Sequence, residues 1–600
     1  MLPSSEHPRS SYDKHPFIPI GPAEDCAVGW SEVLRVIANH HKTGILCIEC
    51  YPGVWLDEME DALNLHLKPD VIIRARDGYK SSADLETMLR PVLGNDRVFA
   101  RMNGFEISDY FDPDLLAQQQ IAVHEASGLI IVAGTGASLI VPAAGTLIYA
   151  DLARWEIQRR WRTKRLPNLG LDNHAEGIAP KYKCGYFVEW RAADRLKKPI
   201  LSRIDFLLDT NAVNSPKLIG GEDFRRALHL AAHRPFRVVP YFDPGPWGGH
   251  WMEEVCDLPR DAPNHAWCFD CVPEENSLVL GFGEHRVEIP AIDLVFTQPQ
   301  ALLGDSVHGR FGTEFPIRFD LLDTMGGGNL SLQVHPLTEY IQDKFGMAYT
   351  QDESYYILDA AEGACVYLGL KERADSASFV AELRTAQTRQ TFPVDSFVKA
   401  WPTRKHDHFL IPAGTVHCSG KNTMVLEISA TPYIFTFKLW DWGRTGLDEL
   451  PRPIHIDHGE ANIQWGRRTD WVRKNLVNRI TPLASCPTWR EESTGLHERE
   501  FIETRRHWFT GTVPHHTGYG VNVLNLVEGA EAIVESSTSA FPPFVVHYAE
   551  TFIIPAAVGE YTIRPHGPSA GQQCATIKAF VRTHACGSPP PPICSAVFRG

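Results

Sequence analysis

In the stretch NLSLQVHPLTEYIQDKFGMAYTQDESYYILD, Gln333 and His335 stand two apart in an otherwise apolar run, and Glu353 opens a second such run. Residues two apart on a strand share a face, so Gln333 and His335 point one way while Leu332 and Val334 point the other. With His417, in HFLIPAGTVHC, these residues make two imidazoles, one carboxylate and one amide. Such a set suits a divalent cation, zinc first, with manganese, iron and nickel also compatible. Any one of them alone reads as a hydrogen-bonded core residue. The combination is what points to a metal.

Elements of two kinds must position these groups. The first third alternates strand-like and helix-like runs, as in TGILCIECYPG, VWLDEMEDALNLHL, DVIIRARD and SADLETMLRPVL, which predicts an α/β domain on a parallel sheet. From PFRVVPYFDPGPWGGHW onward, short strands separated by Gly, Pro, Asn and Asp predict antiparallel β structure. HDHFLIPAGTVHCSG and YAETFIIPAAVGEYTI form a weak internal repeat, and placing Pro412 over Pro555 sets His417 over Glu560. This predicts two β-barrel modules, the second without metal ligands. The expected division is a polar segment over 1–25, the α/β domain over 26–235, the metal-binding module over 236–485 and the second module over 486–600. A short helical connector is expected at QWGRRTDWVRKNLVNRI, and the proline-rich end, GSPPPPICSAVFRG, is expected to be loose.

Six hundred residues with 44% apolar content leave ample material for several cores. The net charge of -15 and the lack of a basic block argue against nucleic acid as a partner. The polar, proline-broken start argues against export. The uncharged stretch Ser127 to Ala150 is broken by glycines and Pro142, so it reads as two buried strands and not a membrane span. Thirteen scattered cysteines fit reduced thiols in a cytoplasm. The pairs Cys47/Cys50 and Cys268/Cys271 are too far apart for a zinc ribbon and read as core residues.

The segments EFPIRFDLLDTMGGGNLSLQVHP, TQDESYYILDA, HFLIPAGTVHCSGKNTMVLEIS and FKLWDWGRTGLDELPRPIHI resemble the type I phosphomannose isomerases (mannose-6-phosphate isomerases) of the cupin superfamily, over roughly residues 236–460. The resemblance implies a cupin jelly-roll fold and one divalent metal, most simply zinc, held by Gln333, His335, Glu353 and His417. It also implies Ser331 as a sugar-phosphate contact, Arg318 as a basic substrate position and Arg444 at the reacting end; Lys421, Lys405 and Arg452 are further cations for the pocket. The implied reaction interconverts mannose 6-phosphate and fructose 6-phosphate, or a related sugar phosphate, in the cytoplasm. Where the family usually carries a lysine two residues before the metal-binding Glu, this chain has Gln351; Leu337 and Thr338 replace the acidic or amide pair after HP.

The N-terminal domain resembles the P-loop kinases of nucleosides and sugars in degenerate form. After GILCIE the chain reads CYPGVWLDE, without the Gly-Lys-Ser/Thr that cradles phosphates and holds magnesium. The segment TLIYADLARWEIQRRWR looks like the strand and arginine-rich lid helix of such kinases, or simply a charged, solvated helix face. Two functions follow as expectations: a metal-dependent sugar-phosphate isomerase, or a sugar-phosphate binding or regulatory protein that kept the metal and lost turnover.

Overall fold

The run Gly44–Cys50 is apolar at nearly every position, as a strand covered on both faces requires. It lies inside a seven-stranded sheet ordered Cys26–Val28, Lys217–Gly220, Phe206–Asp209, Thr146–Asp151, Gly44–Cys50, Leu129–Gly134 and Val71–Arg74. The last five are parallel, and the first two close the sheet in antiparallel fashion. Flanking helices start where local chemistry starts them: Ser81 accepts from the Asp84 N–H ahead of Ser82–Leu93, and Asp112 precedes Pro113–Glu125 with proline in its first turn. The uncharged stretch supplies two of the sheet's strands. Among the described residues no helix is long and apolar enough to cross a membrane.

This computed structural model describes residues 10–583 apart from 431–434, 447–448, 496 and 498–499. The proline-rich end and the first nine residues of the expected polar segment lie outside it. Within that segment Ile18–Gly21 forms a strand parallel to Ser277–Phe282, and the buried Tyr12 hydroxyl donates to Asp270 Oδ1 over 2.5 Å. All eleven described cysteines are free, the two CxxC pairs buried.

Beside the three-stranded sheet that Ile18–Gly21 forms with Ser277–Phe282 and His285–Pro290, the β region holds two pairs of antiparallel sheets. The first pair sets His408–Ile411, Glu353–Ala360, Thr423–Ser429, Arg318–Asp323, Trp267–Cys271 and Tyr241–Asp243 against Val398–Pro402, Cys365–Leu370, His417–Ser419, Leu332–Val334 and Phe437–Trp440. The second sets Thr551–Ile554, Asn522–Glu528, Cys574–Val581, Ile502–Phe509, Trp489–Gly495 and Thr481–Cys486 against Phe544–His547, Glu531–Glu535, Glu560–Pro565 and Val513–His516. The two six-stranded sheets follow one order, strand for strand. The strand Thr481–Cys486 runs across the expected division at 485, and the helix Thr469–Asn475 lies in the expected connector.

The charged helix departs from the solvated reading. In Arg154–Arg162 it is Arg154, Arg160 and Trp161 that face inward. Arg154 is 1% exposed and pairs with Asp194 at 2.5 Å and Glu274 at 3.4 Å. A guanidinium can be buried this way because two carboxylates and a backbone carbonyl, that of Glu274, answer its Nη1 and Nη2 groups.

Candidate metal centre

Gln333 and His417 are direct partners across adjacent strands, so their side chains share the inner face. His335 follows on the same face, and Glu353 reaches them from the opposing sheet. His335 Nε2 lies 3.1 Å from Glu353 Oε2, His417 Nε2 lies 2.9 Å from Glu353 Oε1, and the Gln333 amide is 3.2 Å from His417 Nε2. Ligand atoms of the two histidines and the glutamate all fall within 4.8 Å of one another, and all three residues are buried.

The backbone decides what these rings offer. His335 Nδ1 is 2.8 Å from the Phe435 carbonyl and His417 Nδ1 is 2.8 Å from the Thr415 carbonyl. A carbonyl only accepts, so each Nδ1 carries the proton and donates. When neutral, each ring therefore turns its Nε2 lone pair onto an oxygen of Glu353. Lone pairs facing each other at this distance repel unless a proton or a metal cation stands between them. His335 Nε2 and Glu353 Oε1 accordingly have no hydrogen-bond partner despite full burial. These residues fit a divalent ion: two imidazole nitrogens, a carboxylate, and an amide whose half-turn presents oxygen to the same position.

Gln351, the lysine position of the resemblance, is 1% exposed and fully occupied. Its amide nitrogen donates to Glu353 Oε2 over 2.8 Å and its oxygen accepts from the Phe435 N–H at 3.1 Å. It orients the carboxylate that faces both histidines, as groups behind a metal ligand commonly do. Arg318 is also buried, 4% exposed, with Asp320 at 2.8 Å and Glu427 at 3.1 Å. Its charge is answered inside the barrel.

Ser331, Arg444 and Arg452 converge on one carboxylate. Asp441 accepts from Ser331 Oγ at 2.9 Å, from Arg444 at 2.5 Å and from Arg452 at 2.7 Å. A Cβ at Gly328 would sit 3.2 Å from Arg444 Nη1, so the glycine run at 326–328 lets backbone approach that guanidinium. No hydrogen bond or ion pair among the described residues joins Arg444 to the histidines or Glu353. Lys421 is exposed on the turn beyond His417, its N–H bonded to Asn329 Oδ1 at 2.8 Å, and Lys405 pairs with Glu528 at 2.6 Å.

Sequence reading passed over Lys438. It is the register partner of Gln333 on the strand Phe437–Trp440, so it projects to the ligand face. Burial, then the neighbouring Arg452, pull its ammonium down to about 7. The signal available was a lysine between two apolar residues in FKLW.

In the N-terminal domain the ligand crevice of an open α/β sheet, outside the carboxyl ends of its strands, is filled by the chain itself. Lys197 sits between Asp151 and Asp293 at 2.5 Å from each, all three fully buried. After Gly44–Cys50, the Tyr51 hydroxyl donates to Asp194 at 3.0 Å, the Gly53 carbonyl accepts from Arg160 at 2.8 Å, and Trp55 is covered by Arg160 and Arg165. At the turn after Leu129–Gly134, the N–H groups of Gly136 and Ser138 are taken by Glu49 at 2.6 and 2.8 Å.

Residues 29–233 match a family described as a domain of unknown function, DUF8485. Over 273 residues, 44% of this chain and 76% of the relative, the chain is 27% identical to the mannose-6-phosphate isomerase of Streptococcus mutans serotype c. Over 228 residues, 37% of this chain and 65% of the relative, it is 29% identical to the mannose-6-phosphate isomerase ManA of Bacillus subtilis strain 168. The chain thus spans from just under two thirds to about three quarters of the length of these relatives. Among solved structures, the mannose 6-phosphate isomerase of Bacillus subtilis aligns over 57% of this chain and 99% of its own, with 17% identity and a TM-score of 0.47.

Proposed function

We propose that this chain is a metal-dependent aldose–ketose isomerase interconverting mannose 6-phosphate and fructose 6-phosphate or a closely related sugar phosphate. The observation that carries the reading is the pair of buried imidazoles whose bare Nε2 atoms both face Glu353. The names of the relatives support the substrate class. An ion held by Gln333, His335, Glu353 and His417, zinc by the chemistry of its donors, would supply a Lewis acid for the sugar oxygen that gains charge as the carbonyl moves between C1 and C2.

The chain's own groups do the rest. The Arg444 guanidinium brings fixed positive charge to the sugar, as an oxyanion requires, and Lys438, partly charged near neutral pH, stands with it. Ser331 and Arg452 hold Asp441, and Asp441 holds Arg444. Arg318, neutralised by Asp320 and Glu427, fixes the floor of the pocket behind Gln351. Lys421, exposed beyond His417, is placed to meet the phosphate end of the substrate and not its reacting carbons.

Exchange of the mannose 6-phosphate C2 proton with solvent deuterium, followed by NMR, tests this reading; exchange that depends on the protein and stops with a chelator is expected. One observation favours a second reading, a sugar-phosphate binding protein without turnover: Gln351 is locked by two hydrogen bonds and cannot carry a proton. Saturable binding without exchange would select it. Neither binding nor exchange would exclude both.

For the N-terminal domain we propose a kinase-like ancestry without nucleotide binding, because Tyr51, Trp55 and Glu49 occupy the space and the N–H groups a phosphate would need. Calorimetry of magnesium-ATP with the full chain is expected to show no binding. Micromolar binding that disappears in Trp55→Ala would refute this.

A further inference from the structure

The second pair of sheets encloses a cluster that the isomerase reading leaves unused. His507 and Thr576 are register partners, as are Arg505 and Lys578, and His515 and Tyr561. Directly opposed residues share a face, here the one that also carries the core residues Phe509, Val513, Tyr561 and Ile563. The rings of His507 and His515 lie 4.5 Å apart, and His515 stacks on Tyr561 at 4.9 Å.

Their hydrogen bonds do not close. His507 Nε2 is committed to Glu491 at 3.2 Å. His507 Nδ1, both nitrogens of His515 and Thr576 Oγ1 are buried without a partner. Lys578 is 7% exposed, and among the described residues its ammonium makes no hydrogen bond or ion pair; Phe580 lies under it at 5.6 Å. Buried polar groups are almost always paired, and several unpaired ones on one inner face mark a place for something else. Burial holds His507 at about 4 and His515 well below its ordinary value, and pulls Lys578 to about 8. At neutral pH the rings are therefore neutral and the lysine charged, so unmatched donors outnumber acceptors. Part-exposed Glu491 and Arg505, paired at 3.0 Å, border the cluster towards solvent.

Comparison of the two modules fixes the sign of the missing partner. Glu353 and Asn522 each open the strand that pairs with the end of a short neighbour, at Ile411 and Ile554. By the same register, counting along the next strand sets Glu427 in the first module over Lys578 in the second. The Tyr561 hydroxyl donates to Asn522 Oδ1 at 3.0 Å, where His417 faces Glu353 in the first module. Glu353 of the candidate cation site and Glu427, which pairs with Arg318 behind it, are thus replaced by an amide and an ammonium.

We propose that the interior of the C-terminal β module is a second ligand site, which takes a small oxyanion, a phosphate monoester or a carboxylate, on Lys578, His515 and Thr576. This site stands independently of the isomerase reading.

Inorganic phosphate and, separately, acetate titrated into the full chain test it, by calorimetry and by the histidine ring resonances in NMR. Saturable binding by one of them is expected, with shifts of His507 and His515; which one saturates identifies the head group. Affinity is expected to fall by roughly tenfold or more in Lys578→Met and in His515→Phe, since a charge-assisted or a directed hydrogen bond is lost. Both substitutions put apolar side chains beside an apolar core, and the ring resonances of the unmodified protein give a readout that needs no variant. Binding by neither anion, or binding that both Lys578→Met and His515→Phe leave intact, would overturn the proposal.

Discussion

Replacing His335 or His417 with alanine is expected to give protein that purifies without its divalent ion and without turnover, while the unmodified chain carries about one ion per molecule. Each imidazole is one of three strong ligands in a closed, buried set, so its loss opens the site and leaves too few donors. The second consequence is thermodynamic. Glu353 is buried against these rings, so an ion held among them stabilises the folded chain only while the ligand set is intact. Chelation should therefore lower the thermal midpoint of the unmodified protein, which loses ligand stabilisation, and leave the variants unmoved because they have no ion to lose. Elemental analysis with and without chelator, alongside unfolding curves, checks both parts. Equal metal in wild type and variants would place the ion elsewhere.

The clustering of His335, Glu353 and His417 was legible because its signal is short-range. Ser331, Gln333 and His335 keep the two-residue period of a strand, and Glu353 and His417 each stand at the start of a strand. What lies across the barrel was not. Lys438 meets Gln333 through a register that shifts between Leu332 and Gln333, and such an irregularity follows from tertiary packing. The fate of Arg318 could have been read further, since Asp320 lies two residues on and on the same face. Gln351 shows the opposite limit: its residue type marks a departure from the resembled family, but only its two hydrogen bonds show that the side chain serves Glu353. Gln351→Lys is accordingly expected to disturb the ligand set.

The repeat in the second module was legible in outline and off by one residue. Aligning Pro412 with Pro555 puts Glu560 at the place of His417, yet Glu560 is exposed and Tyr561 faces the core. On a strand a shift of one residue exchanges the two faces. Comparing only His417 with Glu560 therefore passes over His515, Tyr561 and Lys578 on the inner side. The buried arginines of the charged helix were hidden for a similar reason: their partners, Asp194 and Glu274, are distant in sequence.

Arg444→Ala is expected to keep the metal and lose about a hundred- to a thousandfold in kcat, the range found when one preorganised oxyanion donor is removed. The guanidinium is held by Asp441 before any substrate arrives, so it needs no reorganisation as charge develops. Arg452→Ala offers the contrast. It removes a second cation from the same carboxylate and should act through the placement of Arg444, with a smaller loss. Lys438→Ala should fall in the same range as Arg444→Ala if its ammonium, projecting beside Gln333, faces the same oxygen. The double variant then decides whether the two act together: charges that stabilise one oxygen form a single unit, and removing both should cost less than the product of the separate losses. Independent, fully multiplicative losses would instead assign Arg444 to the phosphate and Lys438 alone to the reacting end. A binding protein without turnover would show no rate to lose in any of these variants, only weaker sugar-phosphate binding in Arg444→Ala, so one set of rates and affinities distinguishes all three arrangements.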